Sequence, residues 1–321
     1  MVREPRETHL KPFPGIGSRL LNEEEKEKYF AAGEIARRVK KEARQRVKAG
    51  ARLLELCEEI EDRIRQLGGQ PAFPCNIGLN EVAAHFTPPP GFGGEVPEGS
   101  LVKVDLGVHV DGCIVDTAFT TPLSQVDREM VEAAEKSLEK ASSVLRSGVK
   151  ISQVGEAVEN TVKSRGFRVI RNLTGHQIDR FNLHAGLSIP NLKTFSAEKL
   201  RRGMVVAIEP FVTLADGAGE VGEASQVYIY RFKHFPVEYK GRLSSRVERM
   251  QSAFRTLPFC ERWFSSLFKE AGENVFNSIV EELGKNLVSY PVLVERSRRK
   301  IAQAEDTFLI LEDSAVNLTS G

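Results

Sequence analysis

The segment VKVDLGVHVDGCIVDTAFT holds the residues best placed to do chemistry. Val102, Val104, Leu106, Val108 and Val110 alternate, so they share one face of a strand, while Lys103, Asp105, Gly107 and His109 take the other. Asp111-Gly112 is a two-residue hairpin signal. Folding there sets Val110 against Cys113 and Gly107 against Asp116, with Asp105 opposite Ala118 and diagonal to Asp116 on one face. Diagonal neighbours sit about 7–8 Å apart between backbones, so the two carboxylates can converge, and Gly107 is expected to leave the gap between them open. Converging carboxylates repel unless a proton or cation lies between them. Simple solvation on an exposed hairpin is the ordinary outcome of such spacing, but three further residues argue against it. His176 follows the strand-like VIRNL. Glu209 lies inside apolar MVVAIEPFVT and Glu305 inside KIAQAEDTFLILED, where an unpaired carboxylate is costly. Four carboxylates offset two divalent cations, and oxygen-rich ligation with one imidazole suits Mn, Fe, Co or Zn without selecting one. Two such ions about 3.5–4 Å apart can activate a water and polarise a carbonyl together, which points to hydrolysis.

The elements that must position these groups begin with a helix. Asn22 and Glu25 have the spacing of a capping box, and Phe30, Ala31, Ile35, Ala36, Val39, Ala43 and Val47 recur at helical spacing until Gly50. A second helix spans about residues 53–67 and stops at Gly68-Gly69. The same pattern returns later, from about Val126 to Arg146 and from Ser152 to Gly166. Gly50 then matches Gly148, Leu53 matches Ile151, Leu56 matches Val154, Glu61 matches Glu159 and Gly68 matches Gly166. The matched glycines at both ends favour a duplicated helix-helix-strand unit, hence a pseudo-twofold α+β domain with its site between the halves. Strands are expected over residues 101–110, 113–120, 204–213, 226–232 and 300–312. Between Lys233 and Val294 the character turns helical, so residues 217–296 read as a mainly helical inserted subdomain. Residues 22–216 and 297–321 then form the catalytic domain, and 1–21, rich in Pro, Arg and Gly, an extension.

The 321 residues carry 45 Lys+Arg against 44 Asp+Glu, a formal charge of +1, which speaks against a strongly basic nucleic-acid binder or an acidic disordered tail. No apolar run approaches the ~18 residues of a membrane helix, and residues 1–11 are charged where a secretory signal would be apolar. Cys57, Cys75, Cys113 and Cys260 form no CxxC pair, against a thiolate zinc site or a disulfide framework. A cytoplasmic globular protein is expected.

The set PAFPCNIGLNEVAAHFTP, VDLGVHVDGCIVD, TGHQIDRFNLHAGLSIPN, AIEPF and AQAEDT resembles methionine aminopeptidase, whose fold is the pita-bread fold. The insert containing TLPFCERW makes the chain similar to the type II form of archaea and eukaryotes, and the short extension looks archaeal-like. The resemblance implies that Asp105, Asp116, His176, Glu209 and Glu305 are ligands of two divalent ions (Co, Mn, Fe or Zn), with Asp116 and Glu305 bridging. It implies attack of a metal-bridging hydroxide on the first peptide carbonyl, with Glu209 as proton shuttle. His85 matches the histidine that helps protonate the leaving group, and His184 the one that contacts the substrate carbonyl. Phe73 and Leu183 match the apolar wall that receives methionine. The substrates implied are nascent proteins and peptides with amino-terminal methionine, and a monomer is expected, with no membrane and no specific nucleic acid.

One departure stands out, since the family usually has His after the last glutamate and this chain has Asp306. The related X-Pro peptidases often carry Glu-Asp here, which makes them the enzymatic rival; a non-catalytic, ribosome- or RNA-binding paralogue is the rival from another class. In an alternating strand residue 306 points away from Glu305, so a change in packing or in support of the ligands is expected, with Glu305 still a ligand. Gly217, Gly219 and Gly222 match GxGxxG, but strand-like QVYIYRF follows, so the stretch reads as a hairpin loop with no helix terminus for a phosphate. Arg37, Arg38, Lys40 and Lys41 read as a solvated helix face, although an enzyme of nascent chains could use them to touch the ribosome. Cys75 and Cys113 read as packing residues and Trp263 as core.

Overall fold

Asn22 opens the first helix as expected. Its side chain accepts the Glu25 N–H at 2.8 Å, while the Glu25 carboxylate accepts the Asn22 N–H at 3.0 Å, which starts α1 (Glu23–Arg46). The computed structural model describes residues 20–268 and 273–320, and the expected extension lies almost wholly outside them. The buried face of α1 is Tyr29, Ala32, Gly33, Ala36, Val39, Lys40 and Ala43, whereas Phe30 and Ala31 are exposed, against the expectation from spacing. Packing against the chain's far end decides this. A Cβ at Gly33 would stand 2.2 Å from the Leu318 carbonyl oxygen, so only glycine lets that segment cross the helix here.

After α2 (Leu53–Gln66) come β1 (Gln70–Pro71), β2 (Asn76–Leu79) and β3 (Val82–Ala84), then a long hairpin of β4 (Leu101–Val110) and β5 (Cys113–Pro122). Asp111 and Gly112 turn it with φ of 50° and 83°. The register is the expected one, with Val110 opposite Cys113, Gly107 opposite Asp116 and Asp105 opposite Ala118. The valine face of β4 packs on α1 in the main core, which leaves the aspartate face for the site.

The second half repeats the plan with α3 (Arg128–Ser142), α4 (Ile151–Ser164) and β6 (Phe167–Val169). Gly68 and Gly166, at φ of 92° and 80°, directly follow the C-caps of α2 and α4. Gly50 and Gly148, at 78° and 84°, lie in the turns beyond α1 and α3, which have already ended at Arg46 and Ser142, against the expectation that Gly50 stops the first helix. Both matched pairs share the left-handed conformation. The chain continues through β7 (Thr174–Ile178), β8 (Ser188–Pro190), β9 (Val205–Ile208) and β10 (Phe211–Leu214). An excursion follows, comprising β11 (Val221–Phe232), α5 (Ser244–Phe254), β12 (Phe259–Cys260), α6 (Glu261–Leu267), α7 (Glu273–Leu283) and β13 (Leu287–Glu295). It has its own core around Phe232, Phe259, Phe264 and Phe276, and its sheet, in the order β12-β11-β13-β3, borrows β3 from the first half. The chain returns through β14 (Ile301–Gln303), β15 (Asp306–Ile310) and β16 (Ala315–Asn317).

The two long strands expected over 204–213 and 300–312 are each broken in two. β9 pairs β15 as far as Ile208 opposite Asp306, and β10 pairs β14 from Phe211 opposite Gln303. The interruptions face each other, and the two glutamates sit in them. Pro210 has no N–H to continue the ladder. The Ala304 N–H donates to the Pro210 carbonyl at 3.2 Å, and Ala118 and Glu305 exchange backbone hydrogen bonds of 3.2 Å each. Threonines extend that last contact: Thr307 Oγ1 bonds both the N–H and the C=O of Asp116 at 2.7 Å, and Thr120 Oγ1 bonds the C=O and N–H of Gln303 at 2.6 and 2.8 Å. Strand β5 of the first half is thereby laced to the closing strands of the second. Among the described residues no helix is long and apolar enough to cross a membrane.

Candidate metal centre

That lacing brings Asp116, His176 and Glu305 together in the interior, with one ligand atom from each lying within 4.8 Å of the others. His176, on β7, has Nε2 at 3.5 Å from Asp116 Oδ2 and 3.8 Å from Glu209 Oε1. Asp105 joins from across the hairpin. Burial pushes its carboxyl well above the ordinary range, and the Asp116 charge and hydrogen bond add to this, opposed by a hydrogen bond from Gln303. Glu209 and Glu305 are likewise raised, first by burial and then by repulsion from Asp116 and the other carboxylates. Asp105 Oδ1, Asp116 Oδ1 and His176 Nδ1 are buried with no hydrogen-bond partner among the described residues. Unpartnered carboxylate oxygens crowded together with the His176 Nε2 in a low-dielectric interior fit a divalent cation, which would satisfy them and relieve the repulsion together.

The gap over Gly107 is not open as expected. A Cβ there would lie 2.3 Å from Phe73 Cε1, so glycine makes room for the Phe73 ring against β4. Phe73 and Leu183 are buried in one apolar cluster. The His184 ring lies 4.4 Å from that of His176, and its protonation is strongly disfavoured by burial, then by His176, His85 and Arg231. His85 is held at φ 65° with Nδ1 at 3.0 Å from the Pro291 carbonyl, and burial lowers it too.

Three supporting features escaped the sequence reading. Gln303 donates from Nε2 to Glu305 Oε2 at 3.1 Å and also bonds Asp105; its alternation with Glu305 was the available signal. Asn191, fully buried, donates to the Glu209 carbonyl at 2.9 Å and the Leu173 carbonyl at 3.0 Å; it closes the stretch TGHQIDRFNLHAGLSIPN, where its type alone gives it no role. The third is an ion cluster under the pocket. Glu61 accepts from Arg262 at 2.8 and 3.0 Å, from Trp263 Nε1 at 2.7 Å and from the Cys75 N–H at 3.0 Å, while Arg262 also reaches the Pro88 carbonyl and Thr87. The segment TLPFCERW is thus tied to the stretches that carry Phe73 and His85.

Asp306 points away from Glu305, as the alternation requires. It is buried and accepts from Lys40 Nζ at 2.7 Å, Thr117 at 3.1 Å, Thr319 at 2.9 Å and Asn317 at 2.9 Å. The glycine-rich loop holds an anion of its own chain, because Ala218 and Gly219 donate their N–H groups to Glu295 Oε1 at 2.6 and 3.3 Å. With those donors taken, the GxGxxG spacing has no phosphate cradle to offer.

Carboxylates and an imidazole gathered between two duplicated halves define a class, the metallopeptidases of the pita-bread fold. The model of metallopeptidase family M24 matches residues 27–234, and the chain belongs to that family. Within it the chain is 40% identical to the methionine aminopeptidase of Methanothermobacter thermautotrophicus, over 91% of this chain and 98% of that one. It is 42% identical to the methionine aminopeptidase of Pyrococcus horikoshii, over 91% and 99%. Among solved structures, a thermophilic Arx1 superimposes with a TM-score of 0.80 at 15% identity, covering 94% of this chain and 92% of that one, which is a likeness of fold alone.

Proposed function

We propose that the chain is a methionine aminopeptidase that removes the amino-terminal methionine from nascent proteins and peptides, in the cytoplasm and as a monomer. The observation that carries this reading is the convergence of Asp116, His176 and Glu305 within 4.8 Å, in a chain about 40% identical to methionine aminopeptidases over nine-tenths of its length. Asp105, Asp116, His176, Glu209 and Glu305 would hold two divalent ions (Co, Mn, Fe or Zn), with Asp116 and Glu305 shared between them. Ions bound there would supply a Lewis acid for the scissile carbonyl and a source of hydroxide near neutral pH.

The protein's own groups divide the remaining work. Glu209 sits in a strand break, half-buried, with a raised carboxyl, so it can take a proton at its carboxylate and pass it to the leaving nitrogen. His184, whose protonation its surroundings disfavour, can donate one hydrogen bond to the substrate carbonyl as a neutral imidazole. With its Nδ1 hydrogen on Pro291, His85 keeps Nε2 as an acceptor, suited to orienting the leaving amine and relaying its proton. Phe73, seated over Gly107, and Leu183 would form the wall for the methionine side chain. The catalytic domain would comprise residues 22–216 and 297–321, with 217–296 as the inserted subdomain and 1–21 as the extension. Ribosome contact through Arg37, Arg38, Lys40 and Lys41 has weaker support, since the first three pair with Glu34, Glu42 and Asp306.

Asp306 no longer favours the X-Pro reading, because its carboxylate serves Lys40 on the far side of the strand. Hydrolysis of Met-Ala-Ser but not of an Ala-Pro peptide by metal-loaded protein is the expected result. Cleavage of the proline peptide alone would overturn the assignment, and hydrolysis of neither would favour a non-catalytic paralogue.

A further inference from the structure

The sheet of the excursion has two unlike faces. Tyr230 and Phe232 turn inward, with ring centroids 6.5 and 5.3 Å from that of Phe259. On the other face Ile229 stands opposite Tyr290, and Arg231, one step along the strand pair, is diagonal to it. This second face meets the candidate centre: the Tyr290 ring lies edge-on to His85 at 5.3 Å. Arg231 is fixed there by Nε donating to the Tyr290 hydroxyl at 2.8 Å and Nη1 donating to the Phe232 carbonyl at 3.1 Å.

A guanidinium has five N–H donors, so these two bonds leave three. Arg231 pairs with no carboxylate among the described residues, whereas Arg296, Arg299 and Lys300, beyond the far end of the β11–β13 pair, pair with Glu220, Asp216 and Asp127. It is half-buried. An oriented cation with no carboxylate partner among the described residues, held on the Tyr290 that packs edge-on to His85, is equipped to receive an anion arriving with the substrate.

We infer that Arg231 is a specificity-determining residue that recognises a carboxylate side chain two residues beyond the amino-terminal methionine of the substrate. This rests on the aminopeptidase reading. The amine of the first residue belongs at the metal ligands, and the chain leaving past His85 and His184 runs by Tyr290 and Arg231. The free carboxyl terminus of a very short peptide has the same chemistry, so the test separates the two sources.

The full-length, metal-loaded protein is assayed on Met-Ala-Asp-Ser-amide, Met-Ala-Asn-Ser-amide and Met-Ala-Lys-Ser-amide, and on Met-Ala-Ser as free acid and as amide. The Asp peptide should exceed the Asn peptide about fivefold in kcat/KM at low salt, with the Lys peptide lowest and the spread shrinking at high salt. Arg231→Met should collapse the order to within about twofold, and Arg231→Lys should keep it in weaker form. An order unchanged in Arg231→Met, equal cleavage of the Asp and Asn peptides by wild type, or a preference confined to the free-acid tripeptide would overturn the assignment while leaving the aminopeptidase reading intact. Turnover of none of the peptides would overturn both.

Discussion

Replacing Lys40 with methionine removes the cation from a buried pair and leaves the Asp306 carboxylate in place. The two side chains are only 11% and 10% exposed, so water can replace little of what is lost. Breaking such a pair costs about 3–5 kcal/mol, and the lower end applies because Thr117, Thr319 and Asn317 still donate to Asp306. The damage should also reach the metal centre. Thr117 Oγ1 accepts from Lys40 at 2.9 Å, and its single hydrogen is shared between the Glu305 carbonyl at 2.8 Å and Asp306 at 3.1 Å. Without Lys40 that hydrogen should turn to Asp306, freeing the Glu305 backbone and weakening metal binding about tenfold. Urea unfolding of metal-free wild type, Lys40→Met, Asp306→Asn and the double variant would give the coupling, expected at about 2 kcal/mol. A Lys40→Met loss below about 1 kcal/mol, or strict additivity in the cycle, would refute the reasoning that this pair underpins the strand carrying Glu305.

The pH dependence of the metal-free protein has a definite sign. Asp105, Glu209 and Glu305 are raised above the carboxylate range, so between their unfolded and folded values the folded chain binds more protons. Its stability should therefore fall as pH rises through that window, and saturating divalent metal should remove the fall; thermal melts with and without metal measure both. Asp116→Ala or Glu305→Ala should lose both ions and all turnover, and two metals per chain in either variant would contradict their shared role. His85→Ala should keep metal stoichiometry and lower kcat roughly 100-fold or more, a split read by metal analysis beside steady-state kinetics. Arg262→Met should cost about 3–5 kcal/mol in urea unfolding because it strands the Glu61 carboxylate, 2% exposed, with only Trp263 and Cys75 as donors.

The hairpin was fully legible in the sequence: strict alternation and an Asp-Gly turn admit one register, and the structure has it. Glu209 and Glu305 were legible as costly charges in apolar runs, but not their setting. Each run satisfies strand periodicity throughout, and the break becomes visible only when the two strands are paired and Pro210 falls opposite Ala304. Phe30 and Ala31 of α1 prove exposed for a similar reason, since the helical period left the edge of the buried face undecided until the segment at Leu318 crossed at Gly33 and Tyr29 and Ala32 turned inward.

Local pattern alone determined the duplicated helix pairs, the left-handed glycines matched between them and the aspartate face of the hairpin, because each depends on conformational preference within a few residues. Tertiary structure alone decided what fills the space over Gly107, which cation answers Asp306 and why Arg231 has no anion among the described residues. Those outcomes depend on contacts between distant segments, Phe73 with Gly107 and Lys40 with Asp306. Burial there sets the cost of every unmet charge, and no spacing along the chain records it.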